Sequence, residues 1–306
     1  MSQTIIKTKL DQVRGLIDRG FVYFDFEQIL EVHYRRWIRP GDTVIDIGAH
    51  IGRHLGPMLD MIGPTGKALA FEPIPSVFSE LKSRFCDKNV IFNNVALADR
   101  NGTADFIFAE GAAEESGLKK RKFNSPETTH PKTINVPVCT LDSFTKEFSS
   151  VSFIKIDIEG GEIDCLKGAS STISRFRPLI SVEYGDLTYT AYGNNADTLF
   201  RFASENSYVI YDMFMNKLDD IDEWRSSLNY VYWDFFLVPV EKEQDFKLMV
   251  VSLPDEKLPD PRTVMNELKE AEKRIAEANE IINNMINSSS WKVTAPIRRI
   301  MSALRR

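Results

Sequence analysis

The chain has 306 residues, enough for one large α/β domain with an appendage, and 43% of them are hydrophobic, an ordinary share for a globular protein. With 44 acidic against 38 basic side chains, the net charge of −6 argues against a duplex held through phosphate contacts, so no nucleic-acid partner is expected. The N-terminus, MSQTIIKTKLDQVRGLIDRG, carries charges every few positions and offers neither a secretion signal nor a membrane span, which points to the cytoplasm; Cys86, Cys139 and Cys165, without C-x-x-C spacing, read as reduced structural thiols.

The first element, FDFEQILEVHYRRWI, places Phe26, Ile29, Leu30, His33, Tyr34 and Trp37 at helical spacing, and Pro40-Gly41 stops it. Residues 1–40 are thus expected to form a helical cap. Short apolar runs then alternate with longer helix-like stretches: TVIDI (43–47), ALAF (68–71), VIFNNVAL (90–97), SFIKIDI (152–158), LISVEY (179–184), YVIYDM (208–213) and VYWDFFLVP (231–239). That rhythm predicts a doubly wound α/β domain over 41–240, with a mainly parallel sheet covered on both faces. Ligands on such sheets bind beyond the carboxyl ends of the strands, so the residues just after each run are the candidates. Between DFIF and INVPV lies a polar stretch too long for an ordinary connection, which reads as a lid or acceptor site. Its KKRK at 119–122 is either a solvated charge run or an attractor for an acceptor phosphate.

The loop after the first run, DIGAHIG, sets Asp46 at a strand end and follows it with Gly48 and Gly52. Glycines there let backbone approach a ligand, and the next helix begins with free N–H groups that favour an anion. Asp46 can accept hydrogen bonds from the loop or meet an ammonium, while Glu72, at the end of ALAFE, can take both hydroxyls of a ribose. The pair suggests a nucleoside with a charged tail. A nicotinamide dinucleotide would call for G-x-G-x-x-G, which is absent here. The plainer alternative is that Asp46 caps the turn and both glycines serve packing. His50 and His54, four apart without a third ligand, read as loop and helix-surface histidines rather than a metal pair.

In this order, DIGAHIG, FEP, NNVALADRNG and FIKIDIEGGEIDCLKGA resemble the FkbM-type S-adenosylmethionine-dependent methyltransferases, over roughly residues 30 to 240. The resemblance implies a class I methyltransferase fold: a Rossmann-like sheet of seven strands whose last, the run 231–239, is antiparallel. It implies S-adenosyl-L-methionine as cofactor, with Asp46, Gly48 and Gly52 along its methionine part, Ala49 and His50 in the same binding loop, Glu72 on the ribose and Asn94 with its neighbours on the adenine. Family members often carry a histidine soon after the glutamate of the fifth strand, whereas this chain reads EYGD, which leaves Tyr184 or Asp186 to take those contacts.

Methyl transfer to an oxygen needs donor and acceptor fixed at attack distance, and a base when the acceptor is a hydroxyl. In IKIDIEGGE, Lys155 and Asp157 share one strand face, and Asp157, Glu159 and Glu162 cluster where the strand leaves the sheet; Glu183 holds the like position after LISV. Crowded carboxylates leave one poised as a base, or hold a divalent cation, which is possible here but not the expectation. Asp157 with Glu159 is expected to activate the acceptor and Glu183 to orient it; the alternative for Asp157 is a bond to the cofactor ammonium or to the loop after Gly160-Gly161. Lys155 reads as an ion-pair partner, and Glu162 as the first charge of the next helix.

From VSLPDEKLPDPR the composition becomes that of a linker, expected over 241–262. Val264, Leu268, Ala271, Ile275, Ala278, Ile282 and Met285 then form a heptad seam, so 263–288 reads as a coiled-coil-like helix for a homo-oligomer, for a glycosyltransferase partner, or docked on its own domain. Residues 289–306 combine Trp291, Ile297 and Leu304 with five basic side chains, a pattern suited to an anionic membrane surface. Its SWKVTAPIRR resembles tails of bacterial polysaccharide glycosyltransferases and their companion methyltransferases. The expected function is therefore O-methylation of a sugar hydroxyl, on a nucleotide- or lipid-linked glycan of a surface polysaccharide or glycolipid pathway, in the cytoplasm or peripheral to the inner membrane face. A polyketide, phenolic or other small-molecule acceptor, and a non-catalytic assembly protein, stand as alternatives.

Overall fold

The computed structural model describes residues 25–120, 123, 126–228 and 232–251. The helix Phe26–Trp37 starts where Asp25 accepts the Gln28 backbone N–H (3.0 Å), and it buries Leu30, Tyr34 and Trp37, one residue per turn of one stripe. Trp37 Nε1 donates to the carbonyl of Ser152 (3.1 Å), which ties the helix to the start of the central strand Phe153–Ile156. The chain becomes extended at Ile38, ahead of Pro40, as the sequence predicts.

Strands β1 (Thr43–Ile47), β2 (Lys67–Phe71) and β3 (Val90–Asn93) form one wing of the main sheet. The β1 run is buried along its whole length, the signature of a strand covered on both faces. The run 90–97 is not one strand. It breaks after Asn93, and β4 (Ala96–Leu97) joins β5 (Gly102–Ala109) and β6 (Pro131–Cys139) in a separate sheet of order β4-β6-β5. The composition of β5 and β6 hides them, because one face is solvated and only alternate positions such as Phe106, Val136 and Val138 are buried, against Ile74 and Val77. The polar stretch between them is thereby the end of an antiparallel hairpin, shaped by a bridge between Ile107 and Gly117, a 3-10 turn at Ala113–Glu115 and a short helix Pro126–Thr129.

The second wing of the main sheet contains β7 (Phe153–Ile156), β8 (Leu179–Glu183), β9 (Tyr208–Tyr211), β10 (Lys217–Leu218) and β11 (Asp234–Pro239). The sheet has eight strands in the order β10-β9-β11-β8-β7-β1-β2-β3. Strands β1, β2, β3, β7 and β8 are parallel, while β11 runs antiparallel between β8 and β9, as the resemblance implies for the last run. The eighth strand, against the expected seven, is β10, and Asp212 makes it. This buried carboxylate accepts from the N–H groups of Phe214 (2.9 Å) and Asn216 (2.8 Å) and from the Tyr232 hydroxyl (2.9 Å), turning the chain back along β9.

Residues 241–251 are not a linker. They form helical turns in which Phe246 and Val250 are buried, and Arg36 Nη1 donates to the Val250 carbonyl (3.1 Å), so they pack as part of the compact unit. The rest of the expected linker, the heptad helix at 263–288 and the basic tail at 289–306 lie outside the described residues. Among the described residues no helix is long and apolar enough to cross a membrane.

Candidate active site

A cleft of about 250 Å³ opens beyond the carboxyl ends of the parallel strands. Its floor comes from strand exits: Gly48 and His50 after β1, Glu72 and Pro73 after β2, Asp157 and Glu159 after β7, and Glu183 at the end of β8. Asp234 at the start of β11, Glu27 of the helix Phe26–Trp37, Phe106 of β5, and Ala113, Glu114 and Ser116 of the connection between β5 and β6 form the walls. The polar stretch between β5 and β6, expected as a lid or acceptor site, therefore borders the cleft.

Parallel pairing of β1 with β2, Ile47 opposite Phe71, puts the two strand-end loops side by side. The N–H groups of Gly48 (3.1 Å) and Ala49 (2.9 Å) both donate to the Phe71 carbonyl, and that of His50 donates to Glu72 Oε2 (3.0 Å). Ile74 N–H takes the other Glu72 oxygen (2.8 Å). Glu72 is thus clamped at both oxygens, and each keeps a second lone pair for a ligand. Burial pushes its carboxyl up to about 7, with Asp46 and Asp157 adding to the shift and the two N–H groups opposing it. Asn94 supports the same loop, its amide donating to the carbonyls of Glu72 (2.8 Å) and Pro73 (3.1 Å).

The glycines answer to packing. A Cβ on Gly48, at φ 78°, would stand 1.8 Å from the Asp157 carbonyl oxygen, and one on Gly52, at φ 89°, 2.3 Å from the Phe85 ring. The space a Cβ would take is filled by protein at both positions, so packing requires glycine there, while Gly48 also lines the cleft. Gly48→Ala is accordingly expected to destabilise the fold by about 3 kcal/mol or more, read as a lower denaturation midpoint in urea. Asp46 is 1% exposed and lies beside Lys155 in the β1–β7 register; neither of its oxygens has a hydrogen-bond partner, and burial raises its carboxyl above the usual range.

At the opposite side of the floor, Lys155 Nζ, itself buried, lies 2.8 Å from Asp157 Oδ2. The ammonium and a hydrogen bond from Glu183 outweigh the burial of Asp157 and hold its carboxyl near the bottom of the carboxylate range. Burial, the Asp157 charge and that same hydrogen bond push Glu183 well up, so Glu183 carries the proton the two groups share. Asp234 faces Glu183 across the β11–β8 pair, and burial pushes it up to about 7. The partner of Asp157 is therefore Glu183 rather than Glu159. Pairing of β7 with β8, Ile156 opposite Val182, brings those two strand ends together, whereas the left-handed turn at Glu159 (φ 60°) carries that residue onward along the cleft wall. Glu162 opens the helix Glu162–Lys167 as expected, and its Oε1 accepts from the N–H groups of Ile158 (3.2 Å) and Gly160 (2.9 Å), closing the loop.

Other expectations change with the geometry. His54 is a core residue, not a surface one: it is 4% exposed and joins the Tyr34 hydroxyl (3.1 Å) to the Glu27 carboxylate. Tyr184 points away into the core, its hydroxyl donating to the Asn195 carbonyl (2.7 Å). Of the KKRK run, Lys119 stacks its ammonium 5.0 Å from the Tyr192 ring centroid, while Arg121 and Lys122 lie outside the described residues. Among the described residues no group of three or more His, Cys, Asp or Glu side chains is placed to hold a metal ion.

No curated protein matches the chain. Solved structures similar to it include methyltransferase FkbM from Methylobacillus flagellatus KT, at 16% identity and a TM-score of 0.42 over 76% of this chain and 57% of that one. The chain thus spans little more than half the length of that protein. A SAM-dependent O-methyltransferase from Thermotoga maritima follows at 10% identity and 0.37, covering 71% of this chain and 66% of that one. Aeropyrum pernix fibrillarin, solved with natively bound S-adenosyl-L-methionine, follows at 12% and 0.38, covering 70% and 76%. The sequence itself matches the Methyltransferase FkbM domain across residues 46–232, the span that holds Asp46, Glu72, Asp157 and Glu183. Since that span is well over half of the 306 residues, the chain belongs to the FkbM family of methyltransferases, for which S-adenosyl-L-methionine is the methyl donor.

Proposed function

We propose that the protein is an O-methyltransferase that moves a methyl group onto a hydroxyl of a sugar, in a pathway building a surface polysaccharide or glycolipid. The observation that carries this reading is the pair Asp157 and Glu183 at the exits of β7 and β8, backed by the buried Lys155 within β7, on the same cleft that Glu72 enters from β2.

The residues fit the donor. Glu72 presents two clamped oxygens with lone pairs to spare, and an acidic cleft suits a cationic sulfonium. Glu72 would hold the ribose, the Gly48–His50 loop would border the methionine part, and Asn94 would brace the Glu72 loop from behind. When bound, S-adenosyl-L-methionine supplies an electrophilic methyl carbon on a positively charged sulfur.

Asp157 does the acid–base work. It stays anionic because Lys155 neutralises it from beneath and Glu183 donates to it from the side, leaving the cleft-facing part of its carboxylate to accept the proton of an acceptor hydroxyl. Asp157 would take the proton of the acceptor hydroxyl, giving its oxygen electron density that a free alcohol lacks, with the methyl carbon coming from the donor and the carbon–sulfur bonding pair staying on the donor's sulfur. Glu183 fixes the direction of the Asp157 lone pair, and Asp234 and Glu159 border the acceptor. The C-terminal heptad and basic segments are kept, in the same proposal, as the part that associates with a membrane surface or a glycan-assembly partner.

The test is transfer of labelled methyl from S-adenosyl-L-methionine to a panel of neutral glycans, nucleotide sugars and phenols. Label in a glycan, stable to mild base as an ether, supports the proposal; label confined to phenols, or in an ester, overturns the acceptor class.

A further inference from the structure

Glu27 lies in none of the strand-end loops, yet it lines the cleft together with Gly48 and His50 of the β1 exit. It belongs to the first turn of the helix Phe26–Trp37, and its side chain is 52% exposed. Its position is set by a chain of hydrogen bonds rooted in the core. A carboxylate only accepts, so the imidazole donates from Nε2 to Glu27, while its Nδ1 shares a hydrogen bond of 3.1 Å with the hydroxyl of the fully buried Tyr34. His54 itself precedes the helix Leu55–Ile62 that follows the Gly48–His50 loop, so Glu27 is fixed relative to that loop.

The donor assigned above ends in an amino acid, whose ammonium needs an anion where the methionine part lies. Asp46, the acid the sequence offers for this, is 1% exposed, lies beside the Lys155 side chain and is not among the residues lining the cleft. Asp157 already holds Lys155 and the Glu183 hydrogen bond. Glu27 is the remaining carboxylate on the β1 side, open to the cleft at one face and held by His54 at the other. We infer that Glu27 receives the α-ammonium of the donor's methionine tail, with His54 and Tyr34 as the groups that position it; the assignment rests on the cofactor reading. Holding an anion ready on a rigid bond network removes the side-chain ordering cost from binding.

Calorimetry of the intact chain with two ligands tests this: S-adenosylhomocysteine, which has the amino-acid tail, and 5′-methylthioadenosine, which has the nucleoside without it. Glu27→Gln keeps an acceptor for His54 and removes only the charge. It is expected to weaken S-adenosylhomocysteine at least tenfold and to leave 5′-methylthioadenosine unchanged, the latter also reporting that the variant is folded. Equal weakening of both ligands, or of neither, overturns the Glu27 assignment while leaving the cofactor reading in place. Failure of the unsubstituted chain to bind either ligand overturns that reading and the assignment with it.

Discussion

Asp157→Asn is expected to lower kcat by about 10²- to 10⁴-fold on the acceptor that the transfer screen returns, while S-adenosylhomocysteine still binds. Asparagine has nearly the same shape, so the cleft keeps its form, but its amide cannot take the proton of a hydroxyl. The change also strands a buried cation. Lys155 is 3% exposed and has Asp157 as its ion-pair partner, so its loss should cost about 3 kcal/mol of stability, seen as a lower denaturation midpoint. The two effects separate in the double variant Lys155→Met with Asp157→Asn, which removes both members of the ion pair and leaves Asp46, beside position 155, to be held neutral by its burial. Stability should recover there, since replacing both members of a buried pair is often neutral, while turnover should not. Recovery of turnover along with stability would make Asp157 a structural anion and move the base to Glu183 or Asp234.

How much of this was legible in the sequence depended on strand direction. The residues just after each parallel run were the ones to inspect, and that rule found Glu72, Asp157 and Glu183, because the carboxyl ends of parallel strands all point to one edge. It missed Asp234 for the same reason. Strand β11 is antiparallel, so its first residue, not its last, reaches that edge, and Asp234 falls inside the run 231–239 instead of just after it. Glu27 was hidden differently: the helical periodicity of 26–37 identifies the stripe Leu30, Tyr34 and Trp37 that packs inward, while a polar residue in the first turn looks like any solvated charge. The pairing of Asp157 with Glu183 over Glu159 needed the β7–β8 register, a contact between residues twenty-six apart that local spacing cannot express. The second sheet escaped because β5 and β6 are each solvated along one face and their alternation reads as polar sequence.

Glu72 leads to a dependence on pH whose direction is opposite to that of an ordinary surface carboxylate. Burial holds its carboxyl up to about 7 in the folded chain, against 4.5 for an unperturbed glutamate. The stability that goes with this proton is fully present below pH 4.5 and is lost as pH rises through about 7, because the unfolded chain gives up the proton first. Ligand binding has the reverse slope. Two ribose hydroxyls donate best to a carboxylate, so S-adenosylhomocysteine should bind about tenfold more tightly at pH 8 than at pH 6, with the charge of Glu72 developed by the ligand it meets. Glu72→Gln removes both trends at this position. It should weaken binding by about 1 to 3 kcal/mol at pH 8, by less at pH 6, and leave the denaturation midpoint between pH 5 and 8 flatter than in the unsubstituted chain. Because Asp234 is also raised to about 7 and Glu162 likewise, the difference between variant and unsubstituted protein is the quantity to read, not either curve alone. Calorimetric titration at the two pH values decides it: an equal loss at both would mean that Glu72 holds its loop through His50 and Ile74 without bonding the ribose, and the cofactor's nucleoside would then have to be held by the backbone of the Gly48–His50 and Pro73–Ile74 turns.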